Sequence, residues 1–309
     1  MADRNEIMSR TIIYGDIPTD LVTLPLDGLQ VSPFWPGSVP LEALQHETYD
    51  GLIMWAPANT VERRHEMALA LRALKIGAPI CIFAPKDKGG TRLAKELASF
   101  GVLVRDQPKR HHRMTTAPRP QVLYGIEEAI SAGELRLVTD LGLLSQPGLF
   151  SWDRLDIGTA CLLTVLPQLV GRIGDFGCGS GVLSKAVLTH AGVSAVTGFD
   201  RDRRAIKAAV ANITDPRFSA VWVDLCQEGA GVNHLDSIVM NPPFHFSGKE
   251  DISIGIRMIE RAADALRPGG CLWLTANRHL PYEAVLRAHF KSVTLCREAL
   301  GYKVYQAIL

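Results

Sequence analysis

From Ile173 onward the chain alternates short apolar runs with stretches of helical spacing. A strand is predicted up to Asp175, followed by a glycine turn and a helix over 182–191. A β-rich run at 195–199 ends at Asp200 and leads into a helix over 201–212. Further strands are read at 219–223, ending at Asp224, and at 237–240, ending at Asn241. A helix fits 252–266 and is broken by Pro268-Gly269-Gly270, after which 271–276 is again a strand. Strands alternating with helices of this length predict a parallel sheet covered on both faces. The end differs. The β-runs 293–296 and 303–309 are separated only by 297–302, too short for a parallel crossover, so the last strand is predicted to run antiparallel.

The N-terminal half carries a faded version of the same pattern. Residues 49–57 (YDGLIMWAP) line up with 235–243 (LDSIVMNPP), and 73–83 (ALKIGAPICIF) with 265–275 (ALRPGGCLWLT). The reading is an internal duplication. The first copy has Trp55 where the second has Asn241, and it has no glycine-rich turn, so it is expected to keep the scaffold without the chemistry. The expected division is a degenerate domain over 1–120, without a cofactor site, and a catalytic domain over 121–309. Between the repeats, 105–120 (RDQPKRHHRMTTAPRP) interrupts the periodicity and reads as a basic loop or linker, either solvated or in contact with phosphates.

Composition sharpens this without redirecting it. A length of 309 residues is a prior for two domains. Thirty-three Lys+Arg against thirty-two Asp+Glu exclude nucleic-acid binding by bulk charge and leave only local patches. No apolar run is long enough to span a membrane, and residues 1–10 have no apolar core of a secretory signal. The six cysteines form no C-x-x-C pair and no spacing that suits zinc, so reduced thiols, no metal and a cytoplasmic location are expected.

Candidate chemistry begins with Asp175-Phe176-Gly177-Cys178-Gly179-Ser180-Gly181, between a strand and a helix. Its glycines allow a tight turn and let backbone approach a ligand. A nicotinamide site would place glycine where Val182 stands. Asp200 and Asp224 end the next two strands, at the edge where a parallel sheet binds ligands. One carboxylate suits the vicinal hydroxyls of a ribose and the other an adenine amino group. Asp200 alone also fits a helix cap.

Asn241-Pro242-Pro243-Phe244-His245 is the sharpest motif. An aryl or amide amine is a poor nucleophile because its lone pair is delocalised. The Asn241 side-chain oxygen and the Pro242 carbonyl can accept both of its N–H bonds, the prolines stiffen the turn, and Phe244 offers a stacking face. His245 fits a site residue or a local structural hydrogen bond equally well.

Together these motifs resemble the class I S-adenosylmethionine-dependent methyltransferases that modify exocyclic or amide nitrogens. Phe150-Ser151, Leu155-Asp156-Ile157-Gly158, 241–245 and 301–308 (GYKVYQAI) narrow the resemblance to the ribosomal RNA guanine-N2 methyltransferases. That resemblance implies two tandem Rossmann-like α/β domains, the second a seven-stranded, mostly parallel sheet with an antiparallel last strand. It also implies S-adenosyl-L-methionine as cofactor and ribosomal RNA or a ribosomal subunit as partner. By the same resemblance Asp175, Gly177, Gly179 and Gly181 lie around the methionine and ribose, Asp200 on the ribose hydroxyls and Asp224 at the adenine. Asn241, Pro242 and Phe244 would hold the amine, with Phe150, Ser151 and Asp156 bordering the cofactor. The chain departs from the family at Phe246-Ser247-Gly248-Lys249, where a shorter polar turn is common, and His245 and Lys249 are candidate substrate contacts. The expected assembly is a monomer with an internal pseudo-dimer. Protein-glutamine N5 and adenine-N6 methylation remain alternatives, as does a non-catalytic RNA-binding assembly factor.

Overall fold

In a computed structural model, residues 10–227, 231–243, 245–246 and 249–309 are described. Phe244 and the side chains of His245 and Lys249, named above as candidates, lie outside that description. The chain divides into two units, Met1–Glu134 and Leu135–Leu309.

The first unit contains β1 (Thr11–Tyr14), β2 (Leu29–Gln30), β3 (Gly51–Trp55), α1 (Thr60–Ala73), β4 (Pro79–Pro85), α2 (Leu93–Ser99), β5 (Arg105–Lys109), β6 (His112–Pro118) and α3 (Ile126–Gly133). Its six-stranded sheet has the order β2-β1-β3-β4-β6-β5. The pairs among β1 to β4 are parallel, and β6 is antiparallel to both β4 and β5.

Two expectations need correction here. Residues 105–120 are not a linker; most of them form the β5–β6 hairpin at the sheet edge. Pro108 and the charged side chains hid it, and these are the residues that an edge strand tolerates. Arg113 Nε donates to Asp106 Oδ1 across the hairpin at 3.1 Å. The boundary also falls after Glu134, not at 120, because α3 belongs to the first core. Ile126, Ala129 and Ile130 of α3 pack into the apolar cluster that α1 covers, and the His65 ring nitrogen Nδ1 lies 2.7 Å from the Ile130 carbonyl.

The second unit opens with a small hairpin, β7 (Arg136–Val138) and β8 (Leu143–Ser145), and continues with α4 (Ile157–Leu163), β9 (Gly171–Phe176), α5 (Val182–Val187), β10 (Val193–Asp200) and α6 (Arg203–Asn212). There follow β11 (Phe218–Trp222), β12 (Leu235–Met240), the short antiparallel pair β13 (His245–Phe246) and β14 (Lys249–Glu250), and α7 (Ile252–Ala265). The unit closes with β15 (Leu266–Asn277), α8 (Glu283–His289), β16 (Ser292–Ala299) and β17 (Tyr302–Ile308). The seven-stranded order is β11-β10-β9-β12-β15-β17-β16, parallel from β11 to β15, with β17 antiparallel to both neighbours. The β16–β17 turn is tight: Leu300 and Gly301 have φ of 53° and 83°, the two positive values that match a hairpin's twist.

The near-continuous apolar strands follow from burial on both faces. In β12, Ile238 and Met240 enter the cluster under α7 and α8, while Val239 enters the cluster under α4 and α5. Trp273 points to the α4–α5 side, and its neighbours Leu272 and Leu274 to the other.

The two sheets share one topology, with β2, β1, β3, β4, β6 and β5 in the places of β10, β9, β12, β15, β17 and β16. Through this register Ile13 stands where β9 has Asp175, Ser32 where β10 ends in Asp200, and Trp55 where Asn241 follows β12. The first unit makes no helix between β1 and β2; Ile17 and Leu21 from that stretch cover the sheet instead. The Trp55 ring packs edge-on against His112, with 5.1 Å between ring centroids.

Candidate active site

The glycine turn joins β9 to α5. Gly177, Gly179 and Gly181 all have positive φ (78°, 53° and 89°), a region that side-chain-bearing residues adopt at a cost. The turn is stitched to β10: the N–H groups of Gly177 and Cys178 both donate to the Phe199 carbonyl, at 2.8 and 3.0 Å. A Cβ on Gly181 would come within 2.9 Å of Ile213 Cδ1, so this glycine lets α5 approach α6. A Cβ on Gly179 would meet nothing within 4 Å, which leaves that side of the turn open to a ligand.

Asp175 does not face an open crevice. It is fully buried on the face that α5 covers, and its Oδ2 accepts from the Ser184 N–H (2.9 Å) and hydroxyl (2.7 Å). Gly181, the N-cap of α5, has no side chain to cap with, and Asp175 takes over that task. Its Oδ1 is buried without a partner among the described residues. Burial pushes this carboxyl up to about 7; the Ser184 bonds act against the shift, and the Asp200 charge adds to it.

Asp200 is half-buried at the end of β10. One carboxylate oxygen accepts from the Gly179 N–H at 2.9 Å and the other from the Asp202 N–H at 2.8 Å. It is not the cap of α6; Asp202 is, through its bond from the Arg204 N–H. Burial, reinforced by the Asp202 charge, pushes Asp200 up to about 6. Asp224 lies just beyond β11, half-buried, and accepts from the Cys226 N–H at 2.9 Å. The carboxyl ends of β9, β10 and β11 thus bring the glycine turn, Asp200 and Asp224 to one sheet edge. An open side at Gly179 and two half-buried carboxylates fit a nucleoside cofactor that carries hydroxyls and an amino group.

Asn241 stands at the end of β12, on that same edge. Its Nδ2 donates to Asp156 Oδ2 at 2.8 Å and to Thr159 Oγ1 at 2.9 Å. Both amide hydrogens are therefore committed, and Oδ1 accepts from none of the described residues. Pro242 is buried and fixes the turn that follows. Asp156, expected to border the cofactor, is the N-cap of α4 and the partner of Asn241. Phe150 is 63% exposed, and the Ser151 hydroxyl donates to the Arg154 carbonyl.

Sequence reasoning missed two supports. Thr159 carried no motif of its own. Asn212, at the end of α6, donates to the Ser180 carbonyl of the glycine turn at 2.9 Å and to the Leu144 carbonyl at 2.8 Å. Its position as the last residue of an amphipathic helix was the only available signal.

The methyltransferase small domain family matches residues 140–306. A ribosomal RNA small subunit methyltransferase C of Pseudomonas aeruginosa is 32% identical over 248 residues, 77% of this chain and 73% of its own. One from Acinetobacter baylyi is 27% identical and covers 99% of both chains. Among solved structures, the T. thermophilus 16S rRNA N2 methyltransferase, in complex with AdoMet and guanosine, superposes with a TM-score of 0.78. That match has 22% identity and covers 97% of this chain and 88% of the other. The chain belongs to the methyltransferase small domain family, alongside the small-subunit ribosomal RNA methyltransferases.

Proposed function

We propose that the chain transfers a methyl group from S-adenosyl-L-methionine to the exocyclic N2 amine of a guanine in small-subunit ribosomal RNA. The observation that carries this reading is Asn241, whose two amide hydrogens are tied to Asp156 and Thr159 so that its oxygen is left to accept. The similarity to small-subunit ribosomal RNA methyltransferases supports the choice of small-subunit RNA.

On this reading Gly177, Gly179 and Gly181 cradle the cofactor, Asp200 receives ribose hydroxyls and Asp224 the adenine amine. The cofactor supplies an electrophilic sulfonium methyl. Asn241 Oδ1 and the Pro242 carbonyl accept the two N–H bonds of the guanine amine and turn its lone pair out of conjugation, toward the methyl. Alignment is the main task. No strong base is required before attack, because the amine turns acidic as it gains positive charge. Phe244 would stack on the base, which must be unpaired or flipped out of its helix to arrive. His245 and Lys249 are proposed as contacts to the RNA. The first unit, with Ile13, Ser32 and Trp55 at the three key positions, is proposed to hold no cofactor. Among the described residues no helix is long and apolar enough to cross a membrane. The enzyme is proposed to work in the cytoplasm, as a monomer.

The test is labelled-methyl transfer to free small- and large-subunit RNAs and to assembled subunits, followed by nucleoside digestion. N2-methylguanosine from small-subunit RNA is expected. Label in protein glutamine or in N6-methyladenosine would replace the reading, and no cofactor binding by calorimetry would favour a non-catalytic RNA-binding factor.

A further inference from the structure

The local sequence Asp156-Ile157-Gly158-Thr159 opens α4, with Asp156 as N-cap and Thr159 three residues in. Asp156 Oδ2 accepts from the Thr159 N–H at 2.8 Å, as a cap does, and the same oxygen accepts from Asn241 Nδ2. The Thr159 hydroxyl oxygen takes the second Nδ2 hydrogen. One helix start therefore offers two acceptors to a side chain more than eighty positions away in the sequence.

We infer that Asp156 and Thr159 form a positioning clamp that sets the orientation and the acceptor strength of the Asn241 side chain. Orientation comes first. A carboxylate cannot donate, so an Asn241 amide rotated by half a turn would set oxygen against oxygen and lose its bond to Asp156. The clamp thereby fixes which end of the amide meets the substrate. Acceptor strength follows from charge. A negative group bonded to an amide N–H draws electron density toward the amide oxygen. The amine becomes positively charged as it attacks, so its bond to Oδ1 strengthens most in the transition state. The clamp acts on turnover more than on substrate binding.

Gly158 completes the arrangement. A Cβ there would lie 2.6 Å from the Tyr302 ring and 3.1 Å from Asp156 Oδ2. Glycine thus lets the ring of Tyr302, from the terminal hairpin, close over the start of α4. The Asp156 charge, after burial, is the next cause that pushes the Tyr302 hydroxyl up.

This inference rests on the proposed methyl transfer, and its test separates the two. Thr159→Val removes one acceptor while keeping the backbone cap and the side-chain volume. Methyl transfer to small-subunit RNA should fall about tenfold in kcat, with KM for RNA and Kd for S-adenosylmethionine unchanged. Thr159→Ser should restore it. Asp156→Ala should cost on the order of 10- to 100-fold, and Asp156→Asn should lie between that and the wild type.

In an Asn241→Ala background Thr159→Val should cost nothing further. A wild-type rate for Thr159→Val, or an equal loss in both backgrounds, would overturn the clamp. A readout independent of activity is the Asn241 side-chain amide pair in nitrogen-15 NMR, assigned by its loss in Asn241→Ala. Thr159→Val should shift that pair and speed its hydrogen exchange. An unchanged pair would overturn the clamp even if the chain modified some other amine, whereas a shifted pair without RNA methylation would overturn only the reaction.

Discussion

At the residue scale, Asn241 and Asp200 do different work and should fail differently. Asn241→Ala should leave cofactor affinity nearly intact and lower turnover by about 10²- to 10³-fold, the range for losing one preorganised polar group at a reacting centre. Asp200 bonds the Gly179 N–H, so Asp200→Ala should loosen the turn and weaken cofactor binding about tenfold or more, read by calorimetry. Asp175 makes a pH-dependent prediction. Its carboxyl is raised from 3.8 to about 7 by burial, so between those values the folded chain holds a proton that the unfolded chain has released. Stability from this group is therefore present at low pH and lost as pH rises toward 7. Relative to Asp175→Asn, the wild type should lose roughly 1 kcal/mol per pH unit between about pH 5 and 7 in urea unfolding. A constant difference would mean that Asp175 stays ionised throughout.

At the element scale, the glycine turn is a device for packing α5 against α6 as much as a ligand cradle. Gly181→Ala meets both a positive φ and a 2.9 Å approach to Ile213 Cδ1. It should destabilise the fold by about 1–3 kcal/mol and weaken cofactor binding. Gly269→Ala shares the positive φ, with its nearest neighbour a guanidinium nitrogen at 3.9 Å. It should cost about 1 kcal/mol and leave binding unchanged. Equal effects on binding would show that the turn matters through stability alone. The strand ends at Asp175, Asp200 and Asn241 were legible because a strand buried on both faces makes an apolar run that stops at a polar residue. The β5–β6 hairpin was not, because an edge strand needs neither apolar faces nor an unbroken donor row.

At the scale of the whole molecule, one fold occurs twice along the chain with different residues at its carboxyl edge. Ile13 cannot cap a helix, Ser32 carries no charge and Trp55 offers no amide oxygen. Calorimetry should therefore find one S-adenosylmethionine per chain. Two per chain would give the first unit a site of its own. The duplication was visible in two blocks only, 49–57 and 73–83, because these are strands whose apolar core both copies must keep. The shared β-hairpin, β5–β6 in one unit and β16–β17 in the other, left no common sequence, since an edge is held by backbone bonds.

The sequence by itself determined the strand–helix alternation, the glycine turn and the acidic and amide residues at the strand ends, because each depends on local periodicity or on a short motif. Only the tertiary structure decided what those side chains do. It turned Asp175 inward to cap α5, gave the cap of α6 to Asp202 and placed Asp156 and Thr159 against Asn241. These are contacts between elements far apart along the chain, set by which strand lies beside which, and no local pattern records them.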